Sequence, residues 1–189
     1  MASSGFTYGL VQGGEAIPLL DLRRNCLTST NFVKMIGLNR FATRRDLFFA
    51  KTGNADPSSR MSEHARRGVC DEAKAIRMLQ DRLHQHVFHV NKFFRHPRFP
   101  NFVGSPDGVT ARGELVEVKC PAKRSFWIPP AHVAQMRWDA WVLDAQASLY
   151  VQLIDGEIFV ERLERDDSLV LDHLPLAIDF LACVQSVNS

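Results

Sequence analysis

Asp107 stands ten residues before the stretch Glu117-Val118-Lys119, and these few positions constrain the fold of the chain more than anything else in it. The acid follows Gly104-Ser105-Pro106 and precedes Gly108, so it falls where a proline and a glycine turn the backbone into or out of a strand. From Glu114 to Cys120, Val116 and Val118 alternate with Leu115, Glu117 and Lys119, the period-two pattern of a strand. Glu117 and Lys119 then share one face. Pro121, with no N–H to give to a ladder, ends the strand.

Two acids brought to one point can hold a divalent cation through hard oxygen ligands, and Mg²⁺ binds through one or two carboxylates completed by substrate oxygens and water. Mn²⁺ is a substitute for it in such a site. A cation held there would polarise a phosphorus centre and activate water. Lys119, two residues beyond Glu117 on the same face, can orient or deprotonate that water and counter charge building on phosphate. The set therefore suits metal-assisted phosphodiester hydrolysis. A bare Glu-x-Lys also reads as an ion pair on a surface strand; the Ser-Pro-Asp-Gly turn before it and Cys-Pro after it favour the catalytic reading.

At 189 residues and 46% hydrophobic content, the chain suits one domain with a single core. A net charge of +2 does not announce a nucleic-acid partner. The distribution is more telling: Arg23-Arg24, Arg44-Arg45, Arg66-Arg67 and Lys123-Arg124 are basic pairs set apart from the acids above. They suit a basic rim for DNA, although each pair alone also reads as a solvated helix face. Cys26, Cys70, Cys120 and Cys183 make no metal-binding or disulfide-framework spacing, which points to a reducing compartment, cytoplasm or nucleus. No secretory leader is legible at the start, and no apolar run is expected to approach the roughly 20 residues that span a bilayer, so no membrane partner is expected.

Residues 1–18, rich in Gly and Ser, read as a flexible or edge-pairing arm, and residues 19–189 as one domain. Thr28-Ser29-Thr30 offers caps for a helix ending at Gly37, and a second short helix is expected from Thr43 to Gly53. A long helix should run from about Ser58 to His84. Strands follow near Val87 to Phe94, beside the Asp107 turn, and at Glu114 to Cys120. Pro129-Pro130 opens a helix to about Leu143. Strands at Ser148 to Leu153 and Ile158 to Leu163 flank Asp155-Gly156, a hairpin signal. The closing helix, from Ser168 to about Val184, should break or kink at Pro175. This order predicts an α/β fold with a mixed central sheet flanked by helices.

On the long helix, Ala65, Val69, Ala73, Ile76, Leu79 and Leu83 mark the buried stripe, and Glu72 lies four before Ile76 and seven before Leu79. A carboxylate there is costly unless paired or metal-bound, which favours a place at the metal site, with Asp71 as the alternative if the helix phase is shifted. Trp138 and Trp141, and the pairs Phe48-Phe49 and Phe93-Phe94, read as core. His84, His86 and His89 straddle a helix end and a strand and assemble no zinc set with His96 or His132.

Gly104-Ser105-Pro106-Asp107-Gly108, Glu117-Val118-Lys119-Cys120-Pro121 and His132-Val133-Ala134-Gln135 together resemble the phage lambda exonuclease family, the YqaJ-like viral recombinases, within the PD-(D/E)XK nuclease superfamily. The resemblance runs from about Arg23 to the C-terminus, and Gly68-Val69-Cys70-Asp71-Glu72 resembles the family's Gly-x-x-x-Glu helix motif. It implies a restriction-endonuclease-like core and a Mg²⁺-dependent exonuclease that degrades one strand of duplex DNA, 5′ to 3′, from an end. Asp107, Glu117 and the Val118 carbonyl would be metal ligands, and Glu72 would serve a second ion. Lys119 would handle the attacking water and Gln135 would lie beside the scissile phosphate. Arg23, Thr30 and Ser105 would hold a terminal 5′ phosphate, with Arg24 as the alternative to Arg23, and Arg40 would enter a groove of the DNA or remain a solvated loop charge. The resemblance also implies a single-strand annealing partner and a homotrimeric ring, although the sequence itself shows no ring and a monomer stays open. A flap-cutting or endonucleolytic enzyme on the same core, and a DNA-binding clamp without catalysis, are the competing readings.

Overall fold

The structure is a computed structural model, and it describes residues 24–53, 63–90, 92–121 and 127–188, with side chains from 71 onward in the second segment. Residues 1–18, Arg23, Lys123 and Arg124, and the side chains of Arg66 and Arg67, lie outside what is described, so the N-terminal arm, one proposed phosphate ligand and the side chains of two basic pairs have no structural account.

Strand β1 (Leu27–Thr28) leads directly into helix α1 (Ser29–Met35), where Thr28 closes a capping box with Asn31. Helix α2 (Arg44–Lys51) starts the same way, with Thr43 and Asp46 exchanging side-chain and backbone hydrogen bonds. Each box satisfies amides that a helix start would otherwise leave bare. Helix α3 (Glu63–Leu83) is the long helix expected from the sequence.

Two sheets follow rather than one. β2 (Val87–His89), β5 (Gly108–Thr110), β6 (Leu115–Lys119), β7 (Ala147–Ile154) and β8 (Glu157–Glu164) form a five-stranded mixed sheet in the order β2-β5-β6-β7-β8. β3 (Phe94–His96) and β4 (Phe99–Gly104) join β1 in a second sheet of order β1-β4-β3. The single strand expected from Val87 to Phe94 is therefore two, in different sheets: His89 pairs with Gly108, and Phe94 with Gly104. Val90 still bonds the Asp107 carbonyl at 3.0 Å before the chain crosses between sheets.

β6 and β7 are the parallel pair at the middle of the larger sheet, joined by helix α4 (Pro130–Leu143). Both faces of this pair are covered, as parallel strands require. On one face, Ala75, Ile76 and Leu79 of α3 pack on Val116, Val118, Leu149 and Val151. On the other, α4 packs with α1 and the smaller sheet around Trp138, whose ring lies 4.8 Å from Phe32 and 5.2 Å from Phe102. Trp138 also donates its indole N–H to the Val103 carbonyl at 2.9 Å, so a large apolar body is buried without orphaning its polar atom. Trp138 and Trp141 are core, as expected, but Phe49 is exposed and lies beneath the Arg45 guanidinium.

The Asp155-Gly156 hairpin forms as predicted, with both residues at positive φ. Helix α5 (Ser168–Asn188) does not break at Pro175. It also departs from the expectation on apolar length: by length and composition it could cross a membrane. Its Val170, Ala177, Phe180, Leu181 and Val184 are packed into the core, whereas Leu171, Ile178 and Val187 of the same helix are exposed.

Candidate active site

The turn before β5 and the strand β6 bring Asp107 and Glu117 together. Asp107 is fixed by its backbone on two sides: its amide bonds the Val116 carbonyl at 3.0 Å and its carbonyl takes the Val90 amide. Its Oδ2 then accepts the Val118 amide at 2.7 Å. A side chain thereby satisfies an amide of the motif strand, and the carboxylate is aimed at β6 by the same bond.

Glu117 is 3% exposed, and its carboxylate is paired with the Lys119 ammonium, as the shared face predicted. The electrostatics are those of an acidic pair with one cation. Burial and the Glu117 charge push the Asp107 carboxyl well above the usual range, against Lys119 and the Val118 amide, which pull it down. Burial alone would lower the Lys119 pKa, but the Glu117 and Asp107 carboxylates outweigh it and hold the ammonium above the ordinary lysine range. Among the described residues no group of three or more His, Cys, Asp or Glu side chains is arranged to hold a metal. What is present is a carboxylate pair whose negative charge is under-compensated, and two hard donors completed by water and substrate suffice for Mg²⁺. Asp107 and Glu117 therefore fit such an ion.

Glu72 lies on the buried side of α3, near enough for its charge to add to the upward push on Asp107. Its Oε1 is 2.5 Å from His89 Nε2, a partner that the sequence reading had set aside. No spacing rule links a helix residue to a strand residue seventeen positions on. Val118 is buried against α3, and Asp71 and Glu72 flank Cys120 closely enough to raise its thiol pKa after burial itself.

In front of Lys119 opens a cleft of about 810 Å³, lined by Thr30, Arg40, Phe41, Lys119, His132 and Gln135 among others. Four residues chosen from sequence thus share one cavity: Thr30, Arg40, Lys119 and Gln135. Arg40 stacks 4.5 Å over the ring of Phe41, which is 81% exposed at the rim. Ser105 does not line this cleft; its hydroxyl donates to the Lys92 carbonyl at 3.1 Å.

His132 is a cleft residue that sequence reasoning left unplaced. Its Nδ1 lies 2.8 Å from the Tyr150 hydroxyl, on the strand position paired with Glu117. Burial, with Lys119 adding to it, lowers its pKa to about 4, and burial raises that of Tyr150 to about 12. A neutral imidazole facing a protonated phenol lets Tyr150 donate to Nδ1, which leaves the proton of His132 on Nε2.

The chain is similar to known proteins in sequence and in fold. The model of the YqaJ-like viral recombinase domain matches residues 19–148. The uncharacterized protein YqaJ of Bacillus subtilis (strain 168) is 26% identical over 159 residues, 78% of this chain and 50% of that protein; the chain thus spans half its relative's length. Among solved structures, the alkaline exonuclease LHK-Exo from Laribacter hongkongensis is similar with a TM-score of 0.72 at 21% identity, over 88% of this chain and 91% of that one. LHK-Exo in complex with dAMP gives 0.71 at 22% identity, with the same coverage. A phage related exonuclease from Haemophilus somnus 129PT gives 0.64 at 13%, over 90% and 96%. At these identities the structural likeness is one of fold, consistent with the PD-(D/E)XK type.

Proposed function

The chain belongs to the YqaJ-like viral recombinase domain family, and from that membership we propose that it is a metal-dependent exonuclease that hydrolyses duplex DNA from an end, 5′ to 3′, in recombination or repair. The observation that carries the reading is the convergence of Asp107, Glu117 and Lys119 at the end of β6, with the Val118 amide tying Asp107 to the strand. The similarity in fold to two exonucleases, one of them solved with dAMP, supports it, since a mononucleotide is what stepwise digestion releases.

Asp107, Glu117 and the Val118 carbonyl would hold Mg²⁺, with Mn²⁺ as substitute, and Glu72 a second ion. When bound, the metal supplies Lewis-acid polarisation of the phosphate and acidifies water. Lys119 holds the attacking water and counters charge on the phosphate oxygens from a position that the Glu117 contact fixes. Gln135, in the same cleft, gives a neutral hydrogen bond to the phosphate without altering the charge balance. Thr30 and Arg23 hold the 5′-terminal phosphate, for which a guanidinium fork is suited, joined by Ser105 once its hydroxyl leaves the Lys92 carbonyl, and Arg40 contacts the duplex. A single-strand annealing protein, a homotrimer and a site of action inside the cell complete the proposal.

The test is digestion of linear duplexes carrying label and phosphate at chosen 5′ or 3′ ends, with Mg²⁺ or EDTA, beside a closed circle. Mononucleotide release that needs Mg²⁺ and a 5′ phosphate supports the reading. Cutting of the circle moves the activity to an endonuclease, and binding without cutting in any metal leaves a silent clamp.

A further inference from the structure

The proposed chemistry makes no use of Asp139, yet this acid is 2% exposed on α4, beside the site. Its Oδ1 accepts the Ser105 amide at 3.1 Å, and its carboxylate also takes a hydrogen bond from the buried Ser29 hydroxyl. Its Oδ2 has no partner among the described residues. A buried carboxyl with one bare oxygen is unfavourable and uncommon in native proteins, so its presence calls for a reason.

The reason lies in what it joins. Ser29 precedes Thr30, Ser105 stands two residues before Asp107, and Gln135 lies one helical turn before Asp139 on the same face of α4. Thr30, Ser105 and Gln135 are the groups assigned above to DNA phosphates, on three separate elements; Thr30 and Gln135 line the cleft, and Ser105 stands beside it with its hydroxyl on the Lys92 carbonyl. Close packing marks the same junction: a Cβ at Gly104 would lie 3.1 Å from Asp139 Oδ1 and 2.3 Å from Leu143 Cδ1, so the chain runs close against the side chains of α4 here.

Resting on the proposed end recognition, we propose that Asp139 is a positioning residue that fastens α1, the Gly104–Asp107 turn and α4 into one cradle for a terminal phosphate. It touches no substrate and acts through Ser105 and Ser29. Burial raises its pKa well above the carboxylate range, with Glu117 adding to the effect. Burial thus disfavours charge beneath the cradle, where a carboxylate would repel an arriving phosphate. Asparagine keeps an acceptor at Oδ1 without a charge, so Asp139→Asn should preserve the cradle.

The experiment measures binding of duplexes with a 5′ phosphate or a 5′ hydroxyl, in EDTA so that nothing is cut, for the wild type, Asp139→Asn, Asp139→Ala and Ser29→Ala. The wild type is expected to prefer the phosphorylated end and Asp139→Asn to keep that preference within about twofold. Asp139→Ala should lose about tenfold of it, the size of one net hydrogen bond to a charged group, with affinity for the 5′-hydroxyl end unchanged. Ser29→Ala, which removes a single donor, should lose a smaller part, and it carries the test if Asp139→Ala does not fold. A folded Asp139→Ala, or Ser29→Ala in its place, with the full wild-type preference overturns the assignment, as does equal loss on both ends. A wild type that digests DNA but ignores the phosphate would sink the end pocket and this cradle with it, while sparing the nuclease reading.

Discussion

The Lys119 ammonium is paired with the carboxylate of Glu117, two residues back on the same strand, and the two side chains differ in access: 28% of Lys119 and 4% of Glu117 is exposed. The cation reaches the cleft, and the acid is behind it. Lys119→Ala should reduce turnover by at least about a hundredfold, in the range of losing a general acid-base group, while duplex affinity stays within a few-fold. Single-turnover digestion beside a binding titration in EDTA checks this, and equal loss of both would contradict the role given to Lys119.

The bond between Glu72 and His89 gives a second expectation. With His89→Ala, Glu72 loses its partner at 2.5 Å. The Mg²⁺ concentration for half-maximal digestion should rise by about tenfold, the scale of removing a group that orients a metal-site residue, while the maximal rate falls less. An unchanged metal dependence would detach Glu72 from the ion.

Gly104 offers a prediction on stability. In Gly104→Ala the new methyl would meet Leu143, Asp139 and Val142 at 2.3, 3.1 and 3.3 Å. Overpacking of this kind costs about 1–3 kcal/mol, and urea denaturation should show it as a lower midpoint with an unchanged slope. A wild-type midpoint would mean that α4 yields easily.

His132 links stability to pH. Its pKa in the folded state, about 4, lies below the usual 6.5, so between these values the unfolded chain binds more protons. Stability should therefore fall as pH drops through that window, and the share due to His132 should vanish in His132→Gln. Lys119 and Tyr150 are the groups facing the ring, and both keep their protons throughout the window. Melting temperatures of both proteins at pH 4.5 and 7 would show parallel declines if the imidazole plays no such part.

What the sequence made legible was local. The period-two strand with Glu117 and Lys119, the caps at Thr28 and Thr43, the Asp155-Gly156 turn and the buried side of α3 all follow from neighbours within a few residues. The split of the expected Val87–Phe94 strand between two sheets did not, because its cause is pairing with Gly108 and Gly104, chosen by tertiary packing. The same holds for the site. Asp107 and Glu117 announced themselves by turn and alternation, whereas His89, His132 and Asp139 owe their positions to contacts across 17, 18 and 34 residues. Asp139 is the hardest to read, since a lone acid between Trp138 and Ala140 looks like any polar position on a helix. Pro175 left a break or a kink open, and α5 runs through it without a break.

The Val118 amide is held by the Asp107 side chain at 2.7 Å. Its proton therefore sits directly on the carboxylate proposed to hold the metal. In an ¹⁵N-labelled sample, the Val118 cross-peak should shift when a divalent ion draws electron density from Asp107, and should lose its protection from solvent exchange if the carboxylate swings away. A single backbone resonance would then register the loading of the site in a protein too inert to turn over, such as Lys119→Ala, and separate an empty centre from an idle one.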